Sequence, residues 1–230
     1  MSFELPLFPL GVVLFPGMPL PLHIFEPRYR LMIGRCLEND RAFGVAQIIE
    51  GEEGQPGTVP TQVGTVAEIL EVAPFADGRM NLQTIGTRRF QILSTREQDD
   101  YLVATCEWYE DEPEEDGIWR IADKTRRILS RYFDSLAINT DLSTDLGQLD
   151  VPQDPYSLSM FIAAIMALPS DQKQRLLEMT STQNRLELEE FLLDRADIVQ
   201  RAFAKHTAQG YFQNPAASSL DQFSNFVSLN

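Results

Sequence analysis

The stretch from Leu5 to Phe25 constrains the fold more than any other part of this sequence, because it is rich in proline and carries no charged side chain. Its five prolines are Pro6, Pro9, Pro16, Pro19 and Pro21. Each costs about 3 kcal/mol in a helix interior, which excludes a membrane-spanning helix. The first basic residue is Arg28, which argues against a signal peptide, so a cytoplasmic location is expected. We predict short β segments at residues 3–8, 12–15 and 20–25.

The next part of the chain predicts one helix followed by several strands. Pro27 is expected at the first position of the helix. The apolar stripe of this helix consists of Tyr29, Met32, Ile33, Cys36 and Leu37. From Ala42 to Glu110, runs of β-forming residues alternate with turns, and Asp77-Gly78 has the composition of a hairpin turn. One early helix among many short strands predicts a strongly bent antiparallel sheet or partial barrel.

An acidic run marks a change in composition. Residues 110–116 contain six Asp or Glu side chains, which we interpret as a solvated boundary because the spacing fits no EF-hand. Beyond it, apolar periodicity predicts four helices: Ile118 to Leu136, Pro155 to Leu168, Ser170 to Met179, and Thr180 to about His206. Residues 209–230 are expected to form a mobile tail. The predicted fold class is α+β.

The charge and the motifs exclude several classes of function. The chain has 19 basic and 34 acidic side chains, a net charge of −15, so neither nucleic acid nor a membrane surface is the expected partner. Its three lysines, Lys124, Lys173 and Lys205, follow Asp, Gln and Ala, so the Gly-Lys-Ser/Thr of a P-loop is absent. The sequence also lacks GxGxxG, HExxH and GxSxG. We therefore expect no enzyme activity, no catalytic residue and no cofactor.

The cysteines and histidines are too scattered to predict a metal site. Cys36 and Cys106 form no CxxC pair, and a zinc site made from them with His23 and His206 lacks local ligand spacing. Both cysteines are interpreted as buried thiols. His23 lies on a predicted strand, where a hydrogen bond at the sheet end is favoured over a role as a catalytic base.

Two charged pairs have a structural and a functional interpretation. Glu26 and Arg28 flank Pro27, and an ion pair or cap at the helix start is favoured over acid–base catalysis. Arg88 and Arg89 are compatible with a nucleic-acid contact. In an acidic chain, however, pairing of these arginines with carboxylates is the favoured interpretation.

Three apolar side chains near turns are the candidates for partner binding. Phe15 and Met18 flank Pro16-Gly17, and Phe75 precedes Asp77-Gly78. Apolar groups exposed on loops mark surfaces that contact a protein or peptide. The same side chains would be structural if they fill the open ends of a barrel. Both roles remain open at this point.

The N-terminal segments resemble a known family. Residues 5–10 read LPLFPL, residues 13–17 read VLFPG and residues 20–29 read LPLHIFEPRY. Together they resemble the signature of the N-terminal, substrate-binding domain of Lon proteases. Shorter matches follow in order: FG at 43–44, GT at 64–65, DGR at 77–79, GTRRF at 86–90, Tyr101, KQRLLE at 173–178 and RL at 185–186.

The resemblance implies a PUA-like β-rich subdomain, at residues 1–112, followed by a helical subdomain, at 113–208. It also implies a structural role for the motif residues His23, Glu26, Pro27, Arg28, Tyr29, Gly86 and Arg89. The family's ATPase and protease residues have no counterpart in this sequence, so we expect a stand-alone Lon-domain protein. Its expected activity is non-enzymatic binding of unfolded polypeptide or a protein partner. The alternatives are an RNA-binding PUA-like protein and an undetected hydrolase that uses His23.

Overall fold

The contacts within the chain divide it into two compact units. The computed structural model describes residues 2–51, 58–114, 116–139 and 150–207. The β unit comprises the residues up to Asp111 together with Leu168–Thr180. The helical unit comprises Glu112–Ala167 and the chain from Ser181 onward. The segment Leu168–Thr180 lies within the predicted helical subdomain, and the structure groups it with the β unit. The predicted tail lies outside the described residues.

The described residues of the β unit form seven strands. They are β1 (Phe3–Leu10), β2 (Pro19–Ile24), β3 (Ala42–Glu50), β4 (Val59–Pro60), β5 (Val63–Pro74), β6 (Met80–Gln98) and β7 (Tyr101–Trp108). The order along the sheet is β1-β7-β6-β5-β3-β4. Because β1 also pairs in parallel with β3, the strands β1, β7, β6, β5 and β3 form a closed ring. This ring confirms the β-rich, barrel-like sheet that the sequence predicts.

The strand β2 adds a short antiparallel ribbon to this ring. It pairs with the first part of β6, from Pro19 opposite Ile85 to Ile24 opposite Met80. Alternation along β2 buries Leu20 and Ile24 and exposes His23. The side chain that follows Ile24 is exposed as well, so the end of this ribbon presents one face to solvent.

The first helix, α1 (Pro27–Glu38), has the predicted apolar stripe. Tyr29, Met32, Ile33 and Cys36 are buried in a core that also contains side chains from β1, β3, β5, β6 and β7. Pro27 is at the first helical position, and Glu26 precedes it as the N-cap residue. The fixed backbone of proline and the 3.6-residue period therefore place α1 as the sequence predicts.

In the part of the chain that the structure describes, four more helices follow the strands. They are α2 (Ile118–Asn139), α3 (Pro155–Ile165), α4 (Ser170–Glu178) and α5 (Thr182–Thr207). Asp154 caps α3, because its Oδ1 accepts a hydrogen bond of 2.8 Å from the Ser157 backbone N–H. The nearly continuous apolar sequence of α3 is buried, as predicted. Helices and a β-rich region together confirm the α+β class. None of the helices in the described ranges is long and apolar enough to cross a membrane.

The structure differs from the predicted elements in several places, and one of them is the end of α3, which lies at Ile165 and not at Leu168. Residues 12–15 form no strand, although Thr65 Oγ1 donates a 2.6 Å hydrogen bond to the Leu14 carbonyl. The strand Met80–Gln98 has 19 residues and is longer than the short strands that the sequence predicts between Ala42 and Glu110. Finally, α5 begins at Thr182 because Ser181 supplies the capping oxygen: its Oγ accepts from the Asn184 N–H at 3.2 Å.

Candidate functional site

Three aromatic rings form an exposed cluster at the end of the β2–β6 ribbon. We call His23, Phe25 and Phe75 the aromatic patch. The centroids of the His23 and Phe25 rings are 6.0 Å apart with the planes inclined by 25°, and Phe75 meets His23 edge-on at 5.9 Å. The side chain of Phe25 is 59% exposed and that of Phe75 is 44% exposed. Exposed aromatic rings that cluster on a surface are a feature of binding sites.

The β2–β6 pairing fixes the position of His23. His23 lies opposite Asn81 in the register, and its Nδ1 is 2.6 Å from the Asn81 Oδ1. This contact is the hydrogen bond at the sheet end that the sequence favours. Because the histidine contacts an amide and two phenylalanine rings, the geometry supports a positioning role for it within the patch. The hydrogen bond and ring contacts of His23 in the described residues include no hydroxyl or thiol side chain for which it would act as a base.

Phe75 is held by the tight turn between β5 and β6. Its N–H donates to the Arg79 carbonyl at 2.8 Å, and the Gly78 N–H donates to the Phe75 carbonyl at 3.0 Å. Gly78 has a φ of 83°, which glycine adopts without strain. The turn predicted from Asp77-Gly78 is therefore present, and it fixes the backbone that carries the Phe75 ring.

An ion pair within the same turn lies beside Phe75. The Arg79 guanidinium carbon is 5.6 Å from the Phe75 ring centroid, and Arg79 Nε donates to Asp77 Oδ2 at 2.7 Å. The Arg79 backbone N–H and then its guanidinium hold the pKa of Asp77 below its usual value. Asp77 is thus ionised at neutral pH and compensates the charge of Arg79.

The three predicted partner-binding residues have different environments. Phe75 belongs to the exposed patch. Met18 is half-buried and packs against the core of the β unit. Phe15 is fully buried, so its ring offers no surface to a partner and fills the core, the other role considered from the sequence. Phe15 is therefore not part of the site described here.

The other motif residues make contacts inside the β unit. Arg28 donates through Nε and Nη2 to Glu26 Oε2 at 3.1 and 2.9 Å, and its guanidinium lies over the Tyr29 ring. Tyr29 is buried and stacks on Phe8 with centroids 4.0 Å apart. The ion pair expected at the helix start is present, and these residues anchor α1.

Gly86 and Arg89 lie further along β6 and join other segments to it. Gly86 pairs with the turn at residues 15–18: its carbonyl accepts from the Gly17 N–H at 2.8 Å, and its N–H donates to the Met18 carbonyl at 2.9 Å. Arg89 is buried, pairs with Asp111, and donates to the carbonyls of Leu177 and Met179 at 2.5 and 2.9 Å. The contacts of both residues therefore connect β6 to other segments of the β unit.

The cysteines have the properties of core residues. Cys36 on α1 and Cys106 on β7 are both buried and free. Burial raises the pKa of the Cys36 thiol to about 11 and that of the Cys106 thiol to about 12. Both are therefore protonated at neutral pH, whereas a zinc ligand or nucleophile is a thiolate. In the described residues no group of His, Cys, Asp and Glu is arranged to hold a metal ion.

The helical unit contains a buried polar cluster formed by Arg185, Ser159 and Glu189. Arg185 Nε donates to Ser159 Oγ at 2.5 Å, and the Ser159 hydroxyl lies 3.2 Å from Glu189 Oε1. All three side chains are fully buried. A ligand has no access to them in this state, so the cluster is structural. The aromatic patch remains the exposed candidate.

Of the residues in the patch, the sequence predicts a binding role for Phe75 and a structural role for His23, and it does not single out Phe25. A signal for it exists, because Phe25 follows His23 by two residues and side chains with that spacing share one face of a strand. Ile24 between them is buried. The alternation therefore predicts that both His23 and Phe25 face solvent.

Known proteins that are similar to this chain belong to one family. The family model of the ATP-dependent protease La (LON) substrate-binding domain matches residues 4–195. The Lon protease of Escherichia coli (strain K12) is 28% identical over 191 residues, which are 80% of this chain and 24% of that protein. Lon protease 1 of Hydrogenovibrio crunogenus is 28% identical over 180 residues, 76% of this chain and 22% of that protein. The chain therefore spans about a quarter of the length of these relatives.

Two solved structures have the same fold. A Lon N-terminal domain protein from Xanthomonas campestris is 27% identical, with a TM-score of 0.60 over 81% of this chain and 96% of that chain. The N-terminal domain of the Mycobacterium avium complex Lon protease has a TM-score of 0.64 over 84% of this chain and 98% of that chain. At 19% identity the second similarity shows the fold alone. Because the family model covers most of the sequence, the chain belongs to the Lon substrate-binding domain family.

Proposed function

We propose that this chain is a non-enzymatic binding module for unfolded polypeptide, and that the aromatic patch is its contact surface. The observation that carries the proposal is the pair of exposed rings, Phe25 and Phe75, held against His23. Unfolded chains differ from folded ones in the apolar side chains that they expose. A rigid apolar surface therefore distinguishes the two states. The description of the family as a substrate-binding domain supports the same conclusion.

The local backbone also favours binding at the patch. Phe25 directly follows a strand, and Phe75 lies in a hydrogen-bonded turn. Both rings therefore need little further ordering when a partner binds, which reduces the entropic cost of association. Aromatic rings also contact many different apolar side chains without fixed hydrogen bonds, as a binder of unfolded sequences requires.

RNA binding is the second candidate, because an arginine beside exposed aromatic rings is typical of surfaces that stack bases. Arg79 beside Phe75 is that observation. The charge of −15 opposes it, since binding to a phosphate backbone is dominated by positive charge. The polypeptide is therefore the favoured ligand.

Fluorescence anisotropy with a labelled, permanently unfolded protein tests the proposal. A suitable probe is a reduced model protein whose cysteines are capped with neutral carboxamidomethyl groups. The double variant Phe25→Ala/Phe75→Ala is expected to lose about 30-fold in affinity, at roughly 1 kcal/mol for each anchor. Since both rings are exposed, its melting temperature should stay close to that of the wild type.

The matched control removes exposed apolar side chains elsewhere in the β unit. Ile49 on β3 and Leu93 on β6 are 62% and 52% exposed, and Ile49→Ala/Leu93→Ala should bind like the wild type. Equal affinities for the two double variants would refute the patch as the contact surface. Failure of the wild type to bind the unfolded protein, with binding of single-stranded RNA, would favour the second candidate.

A further inference from the structure

We propose that the aromatic patch prefers apolar segments that carry an adjacent carboxylate, and that Arg30 determines this preference. The inference rests on the proposed function and adds the chemistry of the preferred ligand. Its basis is the distribution of charge around the patch. An apolar surface alone selects for hydrophobicity, whereas a fixed cation beside it selects for a particular neighbour in the ligand.

Arg30 lies next to the turn that carries Phe75. It belongs to the first turn of α1, where its backbone N–H donates to the Glu26 carbonyl at 2.9 Å. Its guanidinium packs against Gly78, since a Cβ atom on that glycine would overlap with Nη2 of Arg30. Gly78 in turn donates to the Phe75 carbonyl. The guanidinium of Arg30 therefore lies beside the turn that carries Phe75.

The neighbouring arginines are compensated, and Arg30 is not. Arg28 pairs with Glu26 at 2.9 Å, and Arg79 pairs with Asp77 at 2.7 Å. No carboxylate of the described residues forms an ion pair with Arg30. Glu26, which is near Arg30 in sequence, and Asp77, which lies in the turn, are thus already paired with these two other arginines. This leaves one uncompensated positive charge beside the patch.

The chemistry of a guanidinium indicates which ligand group it accepts. A carboxylate binds it through two parallel hydrogen bonds, and such charge-assisted bonds are stronger than neutral ones. The rest of the chain is strongly acidic, so a ligand with many negative charges is repelled. One carboxylate next to apolar side chains satisfies both conditions. This arrangement favours a polypeptide segment over a polyphosphate.

Two labelled peptides of twelve residues test the inference. Both contain the same pair of phenylalanines, and they differ only in whether the flanking residue is Glu or Gln. The wild type is expected to bind the Glu peptide about three- to ten-fold more tightly at low ionic strength, with the difference reduced at 0.5 M salt. In Arg30→Gln the ratio of the two affinities should fall to about one. Arg30→Lys, which retains the charge, should restore a part of it.

The control variant changes an arginine away from the patch. Arg96 on β6 pairs with Glu4 and is about half exposed, and Arg96→Gln should keep the wild-type ratio. Equal affinities of the wild type for the Glu and Gln peptides would overturn the role of Arg30 and leave the proposed function intact. If neither peptide binds, both proposals fail. Tighter binding of a twelve-nucleotide single-stranded RNA than of the Glu peptide would overturn the preference for a carboxylate.

Discussion

Arg89 places a buried charge where three segments of the β unit meet. Its guanidinium pairs with Asp111 after β7 and donates to the carbonyls of Leu177 and Met179 around the end of α4. The Arg89 side chain is 1% exposed and that of Asp111 is 13% exposed. Because the Arg89 guanidinium is removed from water, these hydrogen bonds offset the cost of burying its charge.

Arg89→Met is therefore expected to lower the free energy of unfolding by about 3–5 kcal/mol, as for the loss of one partner from a buried ion pair. Urea denaturation followed by circular dichroism measures the change. Arg96→Met is the matched control on the same strand, since its pair with Glu4 is exposed and should contribute about 0–1 kcal/mol. Similar losses for the two variants would contradict the anchoring role of Arg89.

Glu189 is a second residue whose environment gives a measurable effect. Burial raises its pKa well above the ordinary value, while Arg185 and the hydrogen bond to Ser159 oppose the rise. In the unfolded chain a glutamate ionises at about pH 4.3. Between that pH and the folded pKa, the folded state holds a proton that the unfolded state has released. Rising pH in this window therefore lowers the free energy of unfolding.

Glu189→Gln should remove this part of the pH dependence, because the amide has a similar shape and does not ionise. The free energy of unfolding of the variant, relative to the wild type, is expected to rise between pH 4 and pH 7. Urea titrations at each pH give the values. The exposed neighbour Glu187 supplies the control, since Glu187→Gln makes the same substitution on the same helix outside the buried cluster. A flat profile for Glu189→Gln would mean that the carboxyl ionises in the folded state as in the unfolded one.

Among the secondary-structure elements, the turn at residues 15–18 packs against β6 at Gly86. A Cβ atom on Gly86 would overlap with the Phe15 carbonyl, so a side chain forces the turn away from the strand. Gly86→Ala is expected to lower the free energy of unfolding by about 1–3 kcal/mol. Gly11→Ala is the control, because a Cβ there meets no atom within 4 Å. Thermal melts compare the two, and an unchanged melting temperature for Gly86→Ala would show that the turn accommodates the methyl group.

The helix α3 is the apolar element of the helical unit, and its last residue, Ile165, is buried. Ile165→Ala should cost roughly 2–5 kcal/mol, the range for large-to-small changes in a core. Ile198→Ala on α5 provides the comparison, since Ile198 is 67% exposed and its truncation should have little effect. Chemical denaturation gives both values. A loss below 1 kcal/mol at Ile165 would indicate that the site collapses around the missing methyl groups.

Elements with a strong period or a distinct end were predictable from the sequence. The stripe of α1 and the Asp154 cap of α3 both rest on local chemistry. The continuity of β6 was not predictable, because a glycine such as Gly86 commonly marks an interruption of a strand. In the structure this glycine allows the close approach of the turn at residues 15–18. The turn after β6 was missed for a related reason: Asp99 and Asp100 adopt positive φ angles of 48° and 66° without a glycine.

The aromatic patch was predictable only in part. Phe75 follows from its place beside an Asp-Gly turn, and Phe25 follows from the alternation along β2. The position of Arg30 against Gly78 joins residues that are 48 positions apart, and no local pattern indicates that contact. The burial of Phe15 also depends on tertiary packing, since its sequence neighbours, Pro16 and Gly17, equally suit an exposed loop.

For the whole molecule, we propose that one surface of the β unit contacts unfolded polypeptide. Amide hydrogen exchange across the chain tests this claim directly, because it reports protection at every segment in one experiment. The measurement compares the free protein with the protein saturated by the unfolded model protein. The Phe25→Ala/Phe75→Ala variant at the same concentrations serves as the reference for non-specific effects.

If the aromatic patch is the contact surface, amide exchange is expected to be slower at residues 22–31 and 74–81 when the unfolded protein is bound. These segments hold Phe25, Phe75 and Arg30, and a ligand that covers the rings restricts their backbone. The double variant should lose this protection. Protection confined to the helical unit, or absent from both segments while anisotropy reports binding, would contradict the account and move the contact surface away from the aromatic patch.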